Sequence, residues 1–226
     1  MNNTIDYEKI FSGYFPFWNK LDKTHQDLLC THTAFTFYKR GQNIHGNEHH
    51  CTGAILVKSG QLRTYILSDE GREITLYRLY PGDICMLSAS CVLNAITFDV
   101  FVDCDEDSEV YIINPNTLAT VMESNIYAKN FALNITTSRF SDVMWAMQQI
   151  LFMSFDKRLA IFLIDELANT DGNIIHLTHE QIAKYMGSAR EVVSRMLKYF
   201  ASEKLVELSR GGIKILDKNK LRDLTR

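Results

Sequence analysis

The chain has 226 residues, 46% of them hydrophobic, with 24 Lys and Arg against 27 Asp and Glu. This length suits two domains with sizeable cores, and no apolar run approaches the about 20 residues that a membrane span needs. The N-terminus has neither the positive region nor the apolar run of a signal peptide, so we expect a cytoplasmic protein. Five irregularly spaced cysteines do not make a secreted disulfide framework, and are either reduced core residues or sensors.

The N-terminal half is predicted to form a first domain over residues 1–115. Its first residues, to about position 30, have apolar side chains at helical spacing. The pattern then changes, because Gly60, Gly71 and Gly82 recur every 11 residues between short runs of β-type residues. Short strands with turns at such intervals are typical of an antiparallel sandwich or jelly roll. Together with the helices before and after it, this sandwich predicts the α+β class.

A long helix is predicted for residues 116–152. Along it, side chains at alternating spacings of four and three residues form the pattern of a coiled-coil seam: Leu133, Thr136 or Thr137, Phe140, Met144, Met147 and Leu151. The last four of these residues are expected to form a homodimer interface. A helix packed against its own sheet is the alternative.

Residues 153–226 are predicted to form a second domain with two helices joined by a tight turn. Thr178 and Gln181 have the spacing of a capping box at the start of the first helix. Gly187 can adopt the positive φ that ends a helix, and Ser188 with Glu191 repeats the box spacing for the next helix. Helices joined so closely cross steeply, as in a helix-turn-helix.

The second of these helices has an apolar and a polar face. Its apolar residues at helical spacing are expected to be buried: Val192, Val193, Met196, Leu197 and Phe200. The opposite face carries long donors and an acceptor, which suit reading base edges and holding phosphates in a major groove: Arg190, Glu191, Ser194, Arg195 and Lys198. Ordinary solvated charge is the alternative reading of this face.

A hairpin and a charge gradient favour the nucleic-acid interpretation. A strand, a Gly-rich turn and a strand extend from Leu205 to Leu216, and together with the preceding helices they predict a winged helix. Residues 184–226 hold 11 Lys and Arg against 5 Asp and Glu, whereas residues 1–152 hold 11 against 17. A basic module on an acidic protein is the electrostatic pattern expected of DNA binding.

The order of sandwich, long helix and winged helix resembles the Crp/Fnr family of bacterial transcription regulators over nearly the whole chain. Leu177–Ala183 and Gly187–Leu197 are close to that family's helix-turn-helix signature, and Val57–Arg63 and Tyr80–Ile84 resemble turns of its sensor domain. The resemblance implies a cyclic-nucleotide-binding-like sensor domain in a homodimer that binds an inverted repeat of double-stranded DNA. It also implies an effector that changes DNA affinity, RNA polymerase as a further partner, and no enzymatic activity.

In that family, the residues that match Arg190, Glu191 and Arg195 read bases, so a half-site core of TGA is expected. The residues assigned to DNA binding are Thr178, Ser188, Arg190, Glu191, Ser194, Arg195 and Lys198. Glu191 also stands third in its capping box. Its carboxylate is therefore expected either to cap the helix or to read a base, because it cannot do both at full strength.

Cyclic nucleotides are the usual effectors of this architecture, but the sequence argues against cyclic AMP. The family's ribose-binding glutamate and phosphate-binding arginine are missing from residues 84–96, and no Lys, Arg or His occurs between Arg78 and Lys129. A buried charge without a partner is costly. Val143 and Met144 align with the positions that should offer hydroxyl groups to the purine, so an adenine could stack there but not be hydrogen-bonded.

The same stretch offers sulfur instead. Cys85 and Cys91 are close in sequence and Cys104 lies one strand away, so thiol oxidation or capture of a soft metal is one hypothesis, with buried structural cysteines as the alternative. The stretch also resembles the haem-binding segment of the family's carbon-monoxide sensor. Because Leu87 stands where that sensor has its histidine ligand, haem would need a ligand from elsewhere. No cysteine precedes Cys30, which argues against the iron–sulfur cluster of the oxygen-sensing branch.

A second cluster, His45, His49, His50 and Cys51, is expected to be a solvated loop. It raises an alternative of another class, a cupin-like metal enzyme or metal-binding sandwich with an accessory DNA-binding domain. A cupin-like metal site requires a His-x-His pair and a downstream ligand on the same face of the sandwich. This chain lacks that pattern. A regulator without any ligand is a third alternative, and the sequence assigns neither a cofactor nor metal ligands.

Overall fold

The computed structural model of the protein describes residues 5–46, 51–92, 99–170 and 172–225. The chain divides into two compact units, the first made of Met1–Ile66 and Leu76–Asp142 and the second of Leu67–Thr75 and Val143–Arg226. Helices and antiparallel sheets together confirm the predicted α+β class. No described helix is both long and apolar enough to cross a membrane. The domain limits at 115 and 152 stay a prediction.

Two four-stranded sheets form the sandwich. One has the strand order β1-β8-β3-β6 and the other β2-β7-β4-β5. The turns predicted at Gly60, Gly71 and Gly82 lie between successive strands, from β3 to β6. The strands are β1 (Thr33–Tyr38), β2 (Asn43–His45), β3 (Ala54–Ser59), β4 (Leu62–Leu67), β5 (Glu73–Leu79), β6 (Ile84–Cys85), β7 (Phe101–Cys104) and β8 (Ser108–Ile113).

β3 explains why the first sheet is covered on both faces. Ala54, Ile55, Leu56 and Val57 are all buried, although successive side chains of a strand point to opposite faces. Ala54 and Leu56 belong to a cluster that includes the helices of this unit. Ile55 and Val57 therefore face the interior of the sandwich.

Helices and short turns of 3-10 helix form the layer over this sheet. Its core is aromatic, with the Phe15 ring stacked on Phe17 at 5.1 Å and the Phe131 ring 5.2 Å from Phe17 between centroids. Burial of such rings is the main stabilising term of this layer. The elements are α1 (Tyr7–Tyr14), a 3-10 helix at Trp18–Lys20, α2 (Lys23–Thr31), a 3-10 segment at Leu87–Val92 that is kinked at Ala89, α3 (Pro115–Ser124) and α4 (Ile126–Phe152).

The single long helix predicted for residues 116–152 is wrong in one respect, because Asn125 divides it into α3 and α4. Asn125 has extended backbone angles, and its side-chain oxygen accepts hydrogen bonds from the N–H groups of Tyr127 (3.0 Å) and Ala128 (3.1 Å). It therefore ends one helix and caps the next. Ala128 and Ala132 are buried at the start of α4, and no side chain is buried from residue 133 to 152.

The second unit contains the helices and the small sheet that follow α4. Its three-stranded sheet has the order β10-β11-β9, and the predicted hairpin is confirmed as β10 and β11. The two-residue strand β9, which pairs with β11, was not predicted. The elements are α5 (Phe155–Ala168), β9 (Ile174–Ile175), α6 (His179–Met186), α7 (Arg190–Ser202), β10 (Val206–Ser209), β11 (Gly212–Ile215) and α8 (Lys218–Asp223).

Candidate nucleic-acid interface

The turn between α6 and α7 begins from a capping box that the sequence predicted. The Thr178 hydroxyl accepts a hydrogen bond from the Gln181 N–H at 3.1 Å, and the Gln181 side-chain oxygen accepts one from the Thr178 N–H at 2.9 Å. At the other end of α6, Gly187 has φ +59°, in the left-handed region that glycine adopts at little cost. The predicted helix and its glycine stop are confirmed.

The second predicted capping box, of Ser188 and Glu191, is wrong. α7 begins at Arg190 and its N-cap is Ala189, which gives no side-chain hydrogen bond. Ser188 instead donates its backbone N–H to the Ala183 carbonyl at 2.9 Å, so it completes the end of α6. Glu191 therefore occupies the second position of α7, and its carboxylate makes no capping hydrogen bond.

The two faces of α7 are arranged as predicted. Val193, Leu197 and Phe200 are buried, and Val192 and Met196 are partly buried. Arg190, Glu191, Arg195 and Lys198 are exposed and Ser194 is partly exposed. Of the other two residues assigned to DNA binding, Thr178 is exposed and Ser188 is partly buried. Tyr199, which was not singled out in the sequence, is also exposed.

The start of α6 lies within the electric field of α7. Burial lowers the pKa of His179, and the positive charges of Arg190 and Lys198 lower it further. His179, at the start of α6, is therefore close enough to both cations of α7 for their charges to act on it. A concentration of positive charge there suits a phosphate backbone.

The hairpin of the winged helix is held against β9. A Cβ at Gly212, where φ is +145°, would collide with the Ile175 carbonyl, so glycine is required at this position. His176 Nδ1 lies 2.7 Å from the Gly211 carbonyl and can donate a hydrogen bond to it. Arg210 at the tip of the hairpin is exposed, where it adds a cation to this unit.

Residues 67–75, which belong to the second unit, lie beside the turn of the helix-turn-helix. Arg72 donates a hydrogen bond to the Gly187 carbonyl, and Lys184 Nζ lies 3.4 Å from Glu73 Oε1. Arg72, Glu73 and Lys184 line a cleft of about 420 Å³. Arg190 and other residues of α6 and α7 complete its lining. Sequence reasoning missed this contact, because the partners are more than 100 positions apart.

The cysteines of the first unit do not form the predicted group. Cys85 and Cys104 are buried and reduced, and burial raises the pKa of the Cys104 thiol to about 11. Cys91 forms a disulfide with Cys51, with 6.0 Å between the Cα atoms. The sequence had placed Cys51 in the histidine-containing loop, so both groupings are corrected.

That loop offers no metal site among the residues that the structure describes. His45 Nδ1 lies 2.9 Å from the Thr52 hydroxyl, while His49 and His50 lie outside the described residues. Nowhere in the described ranges do three or more His, Cys, Asp or Glu side chains come together in a way that could hold a metal ion.

Cations do lie inside the first unit, although none occurs locally in the sequence. The Arg63 side chain is 4% exposed and its Nη2 lies 3.4 Å from Asp103 Oδ2. Arg139 of α4 pairs with Asp83 at 2.9 Å and with Asp142 at 3.1 Å. Both arginines thus reach the stretch between Arg78 and Lys129 from outside it, and they are already paired with carboxylates of that stretch.

The predicted seam lies on the exposed part of α4. Phe140 and Leu151 are 63% and 65% exposed, and Met144 and Met147 are 45% and 47% exposed. Val143, the other residue placed near a purine, is partly buried. Such a stripe of large apolar side chains in water is a feature of interaction surfaces.

Comparison with known proteins matches both parts of the chain. The family description "Crp-like helix-turn-helix domain" matches residues 157–224, and "Cyclic nucleotide-binding domain" matches residues 35–125. A solved structure assigned to the Crp/Fnr family, from Eubacterium rectale, is 47% identical, with a TM-score of 0.90 over 95% of this chain and 99% of that one.

Two further relatives are more distant in sequence. The cyclic AMP receptor protein of Thermus thermophilus is 24% identical over 201 residues, which are 88% of this chain and 92% of that protein. The transcriptional activator protein FnrA of Stutzerimonas stutzeri is 25% identical over 187 residues, which are 79% of this chain and 75% of that protein. The similarity therefore extends over both domains and most of the length.

Proposed function

Because the chain belongs to the Crp/Fnr family of transcriptional regulators, we propose that it binds an inverted-repeat operator as a homodimer and that an effector of its sensor domain changes DNA affinity. Members of this family are DNA-binding transcription factors and not enzymes, so the cupin-like metal enzyme is not favoured. The proposal rests mainly on α7, which has an exposed polar face opposite a buried apolar face.

On that face, arginine and glutamate side chains have the chemistry to read bases. Arg195 can donate two hydrogen bonds to one guanine, and Glu191 can accept from a cytosine amino group. Arg190 stands one position before Glu191 at the start of the helix, the end that family members insert toward base edges. Lys198 lies one turn further along and suits a phosphate. These roles predict different losses of binding.

Arg195→Ala tests the assignment. We expect it to weaken binding to an inverted repeat of TGA half-sites by about 1–3 kcal/mol and to relax preference at one base pair. Fluorescence anisotropy with the operator and with random DNA measures both quantities. Arg222→Ala is the matched control, because it removes the same charge from an exposed position on α8. Equal losses on operator and random DNA for Arg195→Ala would overturn the assignment.

The homodimer would place the seam of α4 against a second copy of itself. A single recognition helix contacts few bases, and two half-sites one helical turn apart supply specificity. Met147→Asp puts a charge into the seam, so we expect monomers with little operator binding. Ser138→Asp adds the same charge at an exposed position outside the seam and should leave the dimer intact. A monomeric unaltered protein at micromolar concentration in sedimentation would contradict the proposal.

The candidate effectors are a small molecule, a thiol reaction and haem. Cyclic AMP is disfavoured. Its phosphate would have to displace carboxylates that already pair with Arg63 and Arg139. We therefore expect calorimetry to detect no binding of cyclic AMP, and a micromolar dissociation constant would refute this. An absorption spectrum and intact mass of protein purified without oxygen distinguish haem, a metal, an organic ligand and a disulfide.

A further inference from the structure

The disulfide between Cys51 and Cys91 has no role in the DNA-binding surface. It joins the chain just before β3 to the end of the Leu87–Val92 segment, 40 positions later. Cys91 is exposed and Cys51 is partly exposed. Both residues thus lie at the surface of the first unit, where we expect a small thiol or disulfide to reach them.

The other three cysteines have a different environment. Cys85 and Cys104 are buried, and Cys30 is partly buried with its pKa raised by burial. Burial keeps small disulfides away from Cys85 and Cys104, and the raised pKa values of Cys30 and Cys104 disfavour the thiolate, which is the reactive form. The five cysteines therefore divide into one accessible pair and three residues of low reactivity.

We propose that Cys51 and Cys91 are a reversible thiol–disulfide exchange site through which low-molecular-weight disulfides and thiols regulate this protein. The regulatory part rests on the proposed function. In the oxidising direction, the Cys91 thiolate attacks a small disulfide RSSR and forms a mixed disulfide with release of RS⁻. The Cys51 thiolate then attacks the sulfur of Cys91 and releases the second RS⁻. The protein loses two electrons and two protons, and RSSR becomes two RSH.

Ser88 shows what the bond holds together. The Ser88 hydroxyl lies 2.8 Å from the Gly53 carbonyl, and the Ser88 carbonyl accepts from the Gly53 N–H at 3.3 Å. The sulfur of Cys51 lies 3.8 Å from the same Ser88 carbonyl. After reduction, the Cys51 thiol can donate a weak hydrogen bond to the Ser88 carbonyl. In the reduced form, noncovalent contacts therefore replace the disulfide.

The tied segment also belongs to the buried cluster that includes the start of α4. Met86 and Ala89 share one buried cluster with Ala128 and Ala132. A covalent bond at Cys91 therefore restrains a segment that shares this buried cluster with the first turns of α4. Release of that bond changes the restraint on this packing, which is the physical basis for regulation.

The chemical part is tested with the full-length protein in glutathione buffers of increasing oxidised fraction. Alkylation after denaturation, followed by mass spectrometry, should show five reactive thiols in reduced protein and three in oxidised protein. Peptide mapping should place the new bond between Cys51 and Cys91. Cys51→Ser and Cys91→Ser should each form only a mixed disulfide with glutathione, whereas Cys30→Ser should still form the internal bond. Five thiols at every ratio, or a bond between other cysteines, would overturn the proposal.

The structural and regulatory parts have separate readouts. Hydrogen exchange of the Leu87–Val92 segment should be slower in oxidised than in reduced protein. Operator affinity should differ between the two forms by on the order of fivefold or more, the size of ordinary allosteric coupling. The double variant of Cys51→Ser and Cys91→Ser should not respond.

Equal exchange rates or equal affinities of the two forms would overturn the regulatory claim, as would a response of the double variant. A protein that binds no operator in either form would instead refute the proposed function. In that case the thiol counts and the exchange rates still decide whether the exchange site exists.

Discussion

Replacing Glu191 by alanine distinguishes a base-reading carboxylate from a structural one. Glu191 lies in the first turn of α7, whose N-cap makes no side-chain hydrogen bond. What the variant loses in the folded protein is therefore a favourable interaction with the helix dipole, about 0.3–1 kcal/mol. A capping residue such as Thr178, which accepts a hydrogen bond from Gln181, should cost about 1 kcal/mol or more when replaced by alanine.

The expected loss in recognition is larger. A good contact to a base edge discriminates by about 1–3 kcal/mol, which corresponds to roughly 5- to 150-fold in relative affinity. Glu191→Ala should therefore abolish preference at one half-site position while the free energy of unfolding falls by at most about 1 kcal/mol. Urea unfolding gives the stability, and anisotropy on operators with each half-site base pair replaced in turn gives the discrimination.

Glu203→Ala is the matched control, because it removes the same exposed charge at the other end of α7. It should leave discrimination unchanged. Suppose instead that Glu191→Ala weakens binding equally on every operator and lowers stability by clearly more than about 1 kcal/mol. The carboxylate would then be structural, and the reasoning from the N-terminus of α7 would be refuted.

Lys198→Ala should weaken binding to all DNA sequences alike and lower the slope of log affinity against log salt concentration by about one. Anisotropy at several salt concentrations measures this slope, and a loss confined to one base pair would contradict the phosphate role. Leu197 is fully buried in the second core, so Leu197→Ala should cost about 2–5 kcal/mol in urea unfolding, and a loss under about 1 kcal/mol would be too small for that position. The pKa of His179 is lowered in the folded protein, so the unfolded chain takes up the proton first and stability falls as the pH drops below about 6.5. His179→Asn should lose less stability than the unaltered protein between neutral and acidic pH, and an identical loss would exclude this role of His179.

Local signals in the sequence predicted the helix-turn-helix well. The Thr178 box depends on residues three positions apart, and the burial of Val193 and Leu197 follows from helical periodicity. The Ser188 and Glu191 spacing failed because spacing alone does not fix where a helix begins. Ser188 is used to end α6, and this moves the start of α7 to Arg190.

Features that join distant segments could not be predicted in the same way. The bond between Cys51 and Cys91 depends on how β3 packs beside the Leu87–Val92 segment, and no spacing rule specifies this. Likewise, Arg139 reaches Asp83 from 56 positions away, so a search for cations along the local sequence missed it. Tertiary packing decides such pairs, whereas periodicity decides the elements that carry them.

The proposed homodimer through the exposed half of α4 would make the stability of this protein depend on its own abundance. From residue 133 to 152 no side chain of the helix is fully buried within its own chain, so in the proposed dimer the second copy would cover and stabilise the apolar stripe. By mass action, the melting temperature of a homodimer then rises with protein concentration. Dilution would expose Phe140 and Leu151 and favour non-specific aggregation. The number of copies in a cell would thus set both the operator occupancy and the fraction of the protein that is folded.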